Sequence, residues 1–189
     1  MMKNRLASFY TLLFILASGM FFTAEAQYRK EYYPDSTIKS EGLLVEGKKE
    51  GVWKFYYPDQ ILMAKENYRQ DNLDGGSEYF DFQGHLSQRG TWKAGIEVDS
   101  SFQYFPNGLI KRKGIFSDGL YEGEWVTFNE NGTLHNKGTY IKGTPEGLWL
   151  FYDESGKLKS IANYKGGVLE GSYIEYAENG TKKVEGTYS

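Results

Sequence analysis

From Gln27 onward the chain repeats a 24-residue unit with no insertion or deletion. Aromatic residues recur at Tyr32, Tyr56, Phe80, Tyr104, Phe128, Tyr152 and Tyr176, and in a second register at Tyr68, Trp92, Phe116, Tyr140, Tyr164 and Tyr188. A fixed period of this length belongs to solenoids and arrays, in which each unit buries its apolar surface only against its neighbours. A chain made of one copied unit has no obvious place for a unique catalytic constellation. A scaffold or binder is therefore the starting expectation.

Taking Gly51 as position 1 of the second unit exposes the grammar. Position 1 is glycine at Gly51, Gly75, Gly123, Gly147 and Gly171, but Asp99 in the fourth unit. Position 3 is Trp53, Trp125, Trp149 or Tyr173, but Ser77 and Ser101 in the third and fourth. Position 16 is glycine at Gly42, Gly90, Gly114, Gly138 and Gly186. Asn107-Gly108, Asn131-Gly132 and Asn179-Gly180 fall at positions 9 and 10, and Asp118-Gly119 at positions 20 and 21. Such pairs between aromatic-rich runs are hairpin signals, because both residues tolerate positive φ. The runs between them are too short for helices and rich in strand-forming residues. The expected unit is two antiparallel strands, near positions 2–7 and 11–18. The expected fold is all-β: an elongated single-layer antiparallel meander of up to about fourteen strands ~4.8 Å apart, coiled by twist.

Side-chain alternation assigns positions 12, 14, 16 and 18 to one face, with position 6 expected to join them. A glycine inside a strand marks a close approach, and the expected occupant over position 16 is an aromatic from the neighbouring strand. Positions 3 and 6 are out of phase on a regular strand. Either a bulge realigns them or both faces carry aromatics.

The N-terminus reads as an export signal. Lys3 and Arg5 precede an apolar run over Leu12 to Phe22, and Ala24-Glu25-Ala26 has the small-x-small form of a cleavage site. The expected organisation is a cleavable leader over residues 1–26, then an array of units 27–50, 51–74, 75–98, 99–122, 123–146, 147–170 and 171–189. An exported protein, periplasmic, cell-surface or secreted, follows. Removing Lys3, Arg5 and Glu25 leaves 20 basic against 24 acidic side chains, a net charge of −4. With no basic stripe, nucleic acid is not an expected partner. There is no cysteine, which excludes disulfides, thiol catalysis and thiolate metal sites.

The segments Lys49-Glu50-Gly51-Val52-Trp53-Lys54-Phe55-Tyr56 and Pro145-Glu146-Gly147-Leu148-Trp149-Leu150-Phe151-Tyr152 resemble the bacterial variant of the MORN repeat. So do Asn131-Gly132-Thr133-Leu134 and Gly138-Thr139-Tyr140-Ile141-Lys142-Gly143. The resemblance is good over residues 51–189 and weak over 27–50. Its departures, Ser77, Asp99 and Ser101, place variation in the third and fourth units. It implies an elongated hairpin array used for protein association; scaffolding, dimerisation and lipid contact are roles claimed in that family. Some bacterial members are described as antitoxins, a cytoplasmic role at odds with an export signal. The repeat defines no catalytic residue.

No catalytic, cofactor or metal residue is therefore expected. His85 and His135 lie two units apart and read as turn or surface residues. The acidic row at position 24 (Glu50, Asp74, Glu122, Glu146, Glu170) is spaced by a whole unit, about 10 Å, too sparse for one ion to bridge. The sequons at Asn131 and Asn179 are also what the turn demands. The candidate interaction residues are aromatic: Trp53, Trp92, Trp125, Trp149, Tyr104 and Tyr152. They serve as the core of a thin sheet, or as a ladder for sugar or choline by ring stacking and cation–π contact. The expected partner is an unidentified protein or a second copy, with an envelope glycan or membrane surface as the alternative.

Overall fold

The computed structural model describes residues 25–189. The leader expected over residues 1–26 lies almost wholly outside the described residues. Fourteen strands follow one another: β1 Ala26–Tyr32, β2 Ile38–Val45, β3 Lys48–Tyr56, β4 Leu62–Arg69, β5 Asn72–Phe80, β6 Leu86–Lys93, β7 Ile96–Tyr104, β8 Ile110–Ser117, β9 Leu120–Phe128, β10 Leu134–Ile141, β11 Thr144–Tyr152, β12 Leu158–Lys165, β13 Val168–Tyr176 and β14 Lys182–Tyr188. They pair antiparallel in sequence order as one open sheet. Among the described residues no element outside the sheet lies over either face.

Each odd strand from β3 to β13 begins earlier than expected, at position 22 of the preceding unit, and runs through position 1. It can do so because position 1 is a bulge. Gly51, Gly123, Gly147 and Asp99 have φ of 67°, 64°, 69° and 57°, a left-handed region cheap for glycine and tolerated by Asp. Between β10 and β11 the register moves from Lys137↔Leu150 to Thr139↔Glu146, so Gly147, Leu148 and Trp149 all lie opposite Gly138. A second shift closes each hairpin, as between Phe55↔Ala64 and Tyr56↔Leu62.

These two irregularities decide the faces. The bulge at position 1 swings the position-3 tryptophan diagonally over the position-16 glycine of the preceding unit. Any Cβ added to Gly42, Gly114 or Gly138 would overlap the indole of Trp53, Trp125 or Trp149 respectively. The expected aromatic over position 16 is present, and it is the position-3 tryptophan. Position 6 does not share that face. The Tyr56 hydroxyl donates to Glu41 Oε1 at 2.7 Å, and Lys65 and Lys113 lie over the Phe80 and Phe128 rings. Glu41, Lys65 and Lys113 belong to the opposite face. The residue bulged out at position 13 shifts the alternation by one, so both faces carry aromatics.

The core is a stripe on the tryptophan face. Trp53 is 1% exposed, and Trp125, Trp149, Ala64 and Ala162 are also buried. Trp53 Nε1 donates to the Leu43 carbonyl at 2.9 Å and Trp125 Nε1 to that of Ile115 at 3.0 Å. Position 23 lids the stripe: Lys49 Nζ lies 4.7–4.9 Å from the Trp53, Phe55 and Tyr68 rings, and Tyr121 packs edge-on against Trp125. One layer thus builds its own interior from rings lying flat along the strands.

Each unit is also stitched to the next at both turn margins. At one, Glu50, Glu122 and Glu146 accept from the backbone N–H of Gln70, Lys142 and Gly166 in the next turn, at 2.8–3.0 Å. At the other, Tyr33 and Tyr57 donate to the carbonyls of Tyr56 and Phe80, and the Asn107 and Asn131 amides to those of Glu130 and Glu154. Glu50, Glu122 and Glu146 therefore act as turn caps, satisfying donors that strand pairing leaves free, whereas Asp74 and Glu170 pair with Arg69 and Lys165.

Candidate interaction surfaces

The six aromatic candidates do not converge. Trp53, Trp125 and Trp149 are interior to the tryptophan face, on β3, β9 and β11, so six and two strands separate successive members. Trp92 is half-buried on the same face, its Nε1 donating to Ser77 Oγ at 2.8 Å. Tyr104 and Tyr152 stand at position 6, half-buried and close to the hairpin turns. The Trp149 indole N–H is buried without a hydrogen-bond partner.

Between Trp53 and Trp125 the stripe changes character. Glu66 replaces glycine at position 16, and the residue that would lie over it is Ser77. Over Gly90 the tryptophan is replaced by Ser101, and the vacated space takes the Glu97 carboxylate, whose Oε1 approaches Gly90. That oxygen is buried and unpartnered, and burial pushes the carboxyl above its usual range. Tyr68 donates to Glu66 at 2.6 Å. Burial first, then the Glu66 charge, pushes the Tyr79 hydroxyl up to about 12. Sequence reasoning located the variation through Ser77 and Ser101, but not the carboxylate that fills the second vacancy.

The opposite face holds exposed apolar side chains that the aromatic periodicity did not bring forward. Ile96, Leu120, Ile141 and Val168 line one turn margin, Val168 being 68% exposed, and Ile115 and Leu148 stand one row further in. Gly119 and Gly143 bring successive turns against Ile96 and Leu120. Position-24 carboxylates interrupt this apolar margin at Glu122 and Glu146. Towards the N-terminus the same face is ionic: Lys30 pairs with Glu41 at 3.1 Å, and Glu78 with both Lys65 and Arg89 at 3.3 and 2.9 Å.

Other candidates resolve into turn chemistry. His85 Nδ1 lies 3.2 Å from Asp81 Oδ2 within its own turn, and His135 is exposed on β10. Asn131 and Asn179 accept from the backbone N–H of Thr133 and Thr181. Among the described residues no group of three or more His, Cys, Asp or Glu is placed to hold a metal ion. None of their helices is long and apolar enough to cross a membrane.

Four segments, residues 49–70, 121–142, 145–165 and 169–189, match the family described as the MORN repeat variant. The matches leave out residues 71–120, the stretch in which Ser77 and Ser101 replace tryptophan. No curated protein matches the chain. Among solved structures, the chain aligns with a protein of unknown function from Bacteroides fragilis NCTC 9343. The alignment has 8% identity over 87% of this chain and 93% of that one, with a TM-score of 0.14.

Proposed function

The chain being a MORN-variant repeat protein, a generally non-catalytic family, we propose that it is an exported, non-enzymatic scaffold that binds a protein partner or a second copy of itself. The observation that supports this best is the apolar row Ile96–Leu120–Ile141–Val168, with Ile115 and Leu148 beside it. Exposed contiguous apolar surface with a polar rim is the usual mark of an interaction site. A single-layer sheet has no second layer with which to cover it. The aromatic residues on the other face act chiefly as core, so association uses the aliphatic row. The carboxylates at its edges set orientation and exclude acidic partners.

Two measurements test this reading. Crosslinking in the native envelope fraction, followed by pull-down of the mature form, is expected to trap a discrete partner or a homodimer. Leu120→Lys with Leu148→Lys is expected to abolish the product without unfolding the sheet. A monomer with no partner, or association indifferent to both substitutions, overturns it. N-terminal sequencing of the exported form is expected to begin at Gln27; retention of residues 1–26 in the cell interior removes the export claim.

A further inference from the structure

On the tryptophan face, one row of in-register neighbours departs from the rest. Reading across β5 to β11 through positions 5 and 14 gives Tyr79↔Gln88, Gln88↔Gln103, Gln103↔Arg112, Arg112↔Thr127, Thr127↔Asn136 and Asn136↔Phe151. Five consecutive strands thus present hydrogen-bonding side chains side by side, bounded by an aromatic ring at each end. Elsewhere the same two positions mix polar and apolar side chains, Glu31, Ser40, Phe55 and Ala64 before the row and Ser160, Glu175 and Val184 after it, so the five-strand segment is the longest polar run and the only one centred on an arginine. All five polar residues are half-buried, near enough to the surface to be reached. At ~4.8 Å per strand the polar segment spans about 19 Å.

Arg112 stands at its centre. Its guanidinium lies over two rings, 4.6 Å from Tyr121 and 4.5 Å from Trp125. Its terminal nitrogens donate to the Tyr121 and Tyr140 hydroxyls at 3.4 and 3.5 Å, both long. Its Nε is buried without a partner, and among the described residues no carboxylate lies within ion-pair distance. A partly buried cation left without a counter-charge is costly, and cation–π contact offsets only part of that cost. A planar anion is the counter-charge that a guanidinium fork takes in bidentate fashion.

We propose that this row binds an acidic polysaccharide, Arg112 taking a carboxylate and Gln88, Gln103, Thr127 and Asn136 taking sugar hydroxyls. Hydroxyl, carboxamide and threonine groups are each both donor and acceptor, so a linear run of amides matches a linear run of hydroxyls. An acidic peptide also offers backbone donors and acceptors to the four neutral side chains, and poly-L-glutamate separates the two ligands in the test below. One cation among four neutral groups fits a polymer whose carboxylates are diluted by neutral sugars. The Glu97 carboxylate on the same face, and the net negative charge, disfavour a dense polyanion. Trp125 touches the guanidinium and reports occupancy.

The test uses the mature protein and hyaluronan oligosaccharides, which alternate a carboxylate sugar with a neutral one. Dextran, heparin and poly-L-glutamate serve as comparators, and binding is read by tryptophan fluorescence and calorimetry. Hyaluronan is expected to bind and dextran not. Arg112→Gln is expected to weaken binding at least tenfold, and Arg112→Lys, which keeps the charge but loses the fork, severalfold. Thr127→Val is also expected to weaken it, whereas Val52→Lys, exposed on the opposite face, leaves it unchanged. Should Arg112→Gln unfold by circular dichroism, the lysine and Thr127 variants carry the test. No response to hyaluronan from the folded protein, or affinity unmoved by the Arg112 and Thr127 substitutions, overturns the proposal. Equal Arg112-dependent binding of poly-L-glutamate or heparin overturns it as well.

Discussion

Three glycines occupy the same repeat position, 16, but meet different surroundings, so one methyl added to each tests the packing directly. Gly114, Gly90 and Gly186 all sit within strands, and none has positive φ, so alanine carries no backbone strain. At Gly114 the new Cβ would overlap Cγ, Cδ2 and Cε2 of Trp125, atoms at the root and centre of the indole rather than at a flexible tip. The ring must then tilt or the strands part. Overpacking of this kind costs ~1–3 kcal/mol. Losing the indole bond to the Ile115 carbonyl adds about 1 kcal/mol, so Gly114→Ala is expected to destabilise by about 2–4 kcal/mol. At Gly90 the Cβ meets Glu97 Oε1 at 2.7 Å, the far end of a side chain that can swing aside, and the cost is expected to fall below about 1 kcal/mol. At Gly186 nothing lies within 4 Å, so alanine is expected to be neutral or to stabilise by roughly 0.5 kcal/mol through the entropy of the unfolded chain. Urea titrations followed by tryptophan fluorescence and by circular dichroism measure the series, two probes being needed because an array can unfold by parts. Equal losses at Gly114 and Gly186 would refute the claim that the indole determines the residue at position 16.

Further perturbations address the bulge, the polar interruption and the turn caps. Gly147→Ala at φ 69° is expected to cost ~1–2 kcal/mol and Gly147→Asn less, checked by denaturant midpoints; identical costs would count against a left-handed requirement. The neutral form of Glu97 is favoured in the fold, so the stability it contributes is present below about pH 4.5 and is lost as pH rises through the raised folded value. Glu97→Gln is therefore expected to raise the thermal midpoint at pH 7 and to leave it little changed at pH 4; equal shifts at both would refute the reasoning. Glu146→Gln weakens the bond accepted from the Gly166 N–H at 2.8 Å and is expected to cost about 1 kcal/mol. Faster amide exchange at Gly166 would localise the loss, and unchanged exchange would argue against the cap.

Much of this architecture is written in the spacing. Repeated aromatics, the Asn-Gly and Asp-Gly turns and the absence of any long apolar period specify two strands per unit, and identical units can pair only in sequence order. The glycine at position 16 announces a bulky neighbour, and Ser77 and Ser101 announce where the stripe breaks. What stayed illegible depends on phase. A residue bulged at position 1 and another near position 13 each shift the count, so an alternation rule read straight along the chain put position 6 on the wrong face. The same shift aims Trp149 at Gly138 of the preceding unit. Partners across strands are equally hidden: Glu146 caps a turn twenty residues onward, and the polar row joins residues alternately fifteen and nine apart. Local sequence determines the strands because turn and strand preferences act within a few residues. Tertiary structure alone decides which side chains meet, because a bulge changes alignment between strands while leaving the residue types untouched.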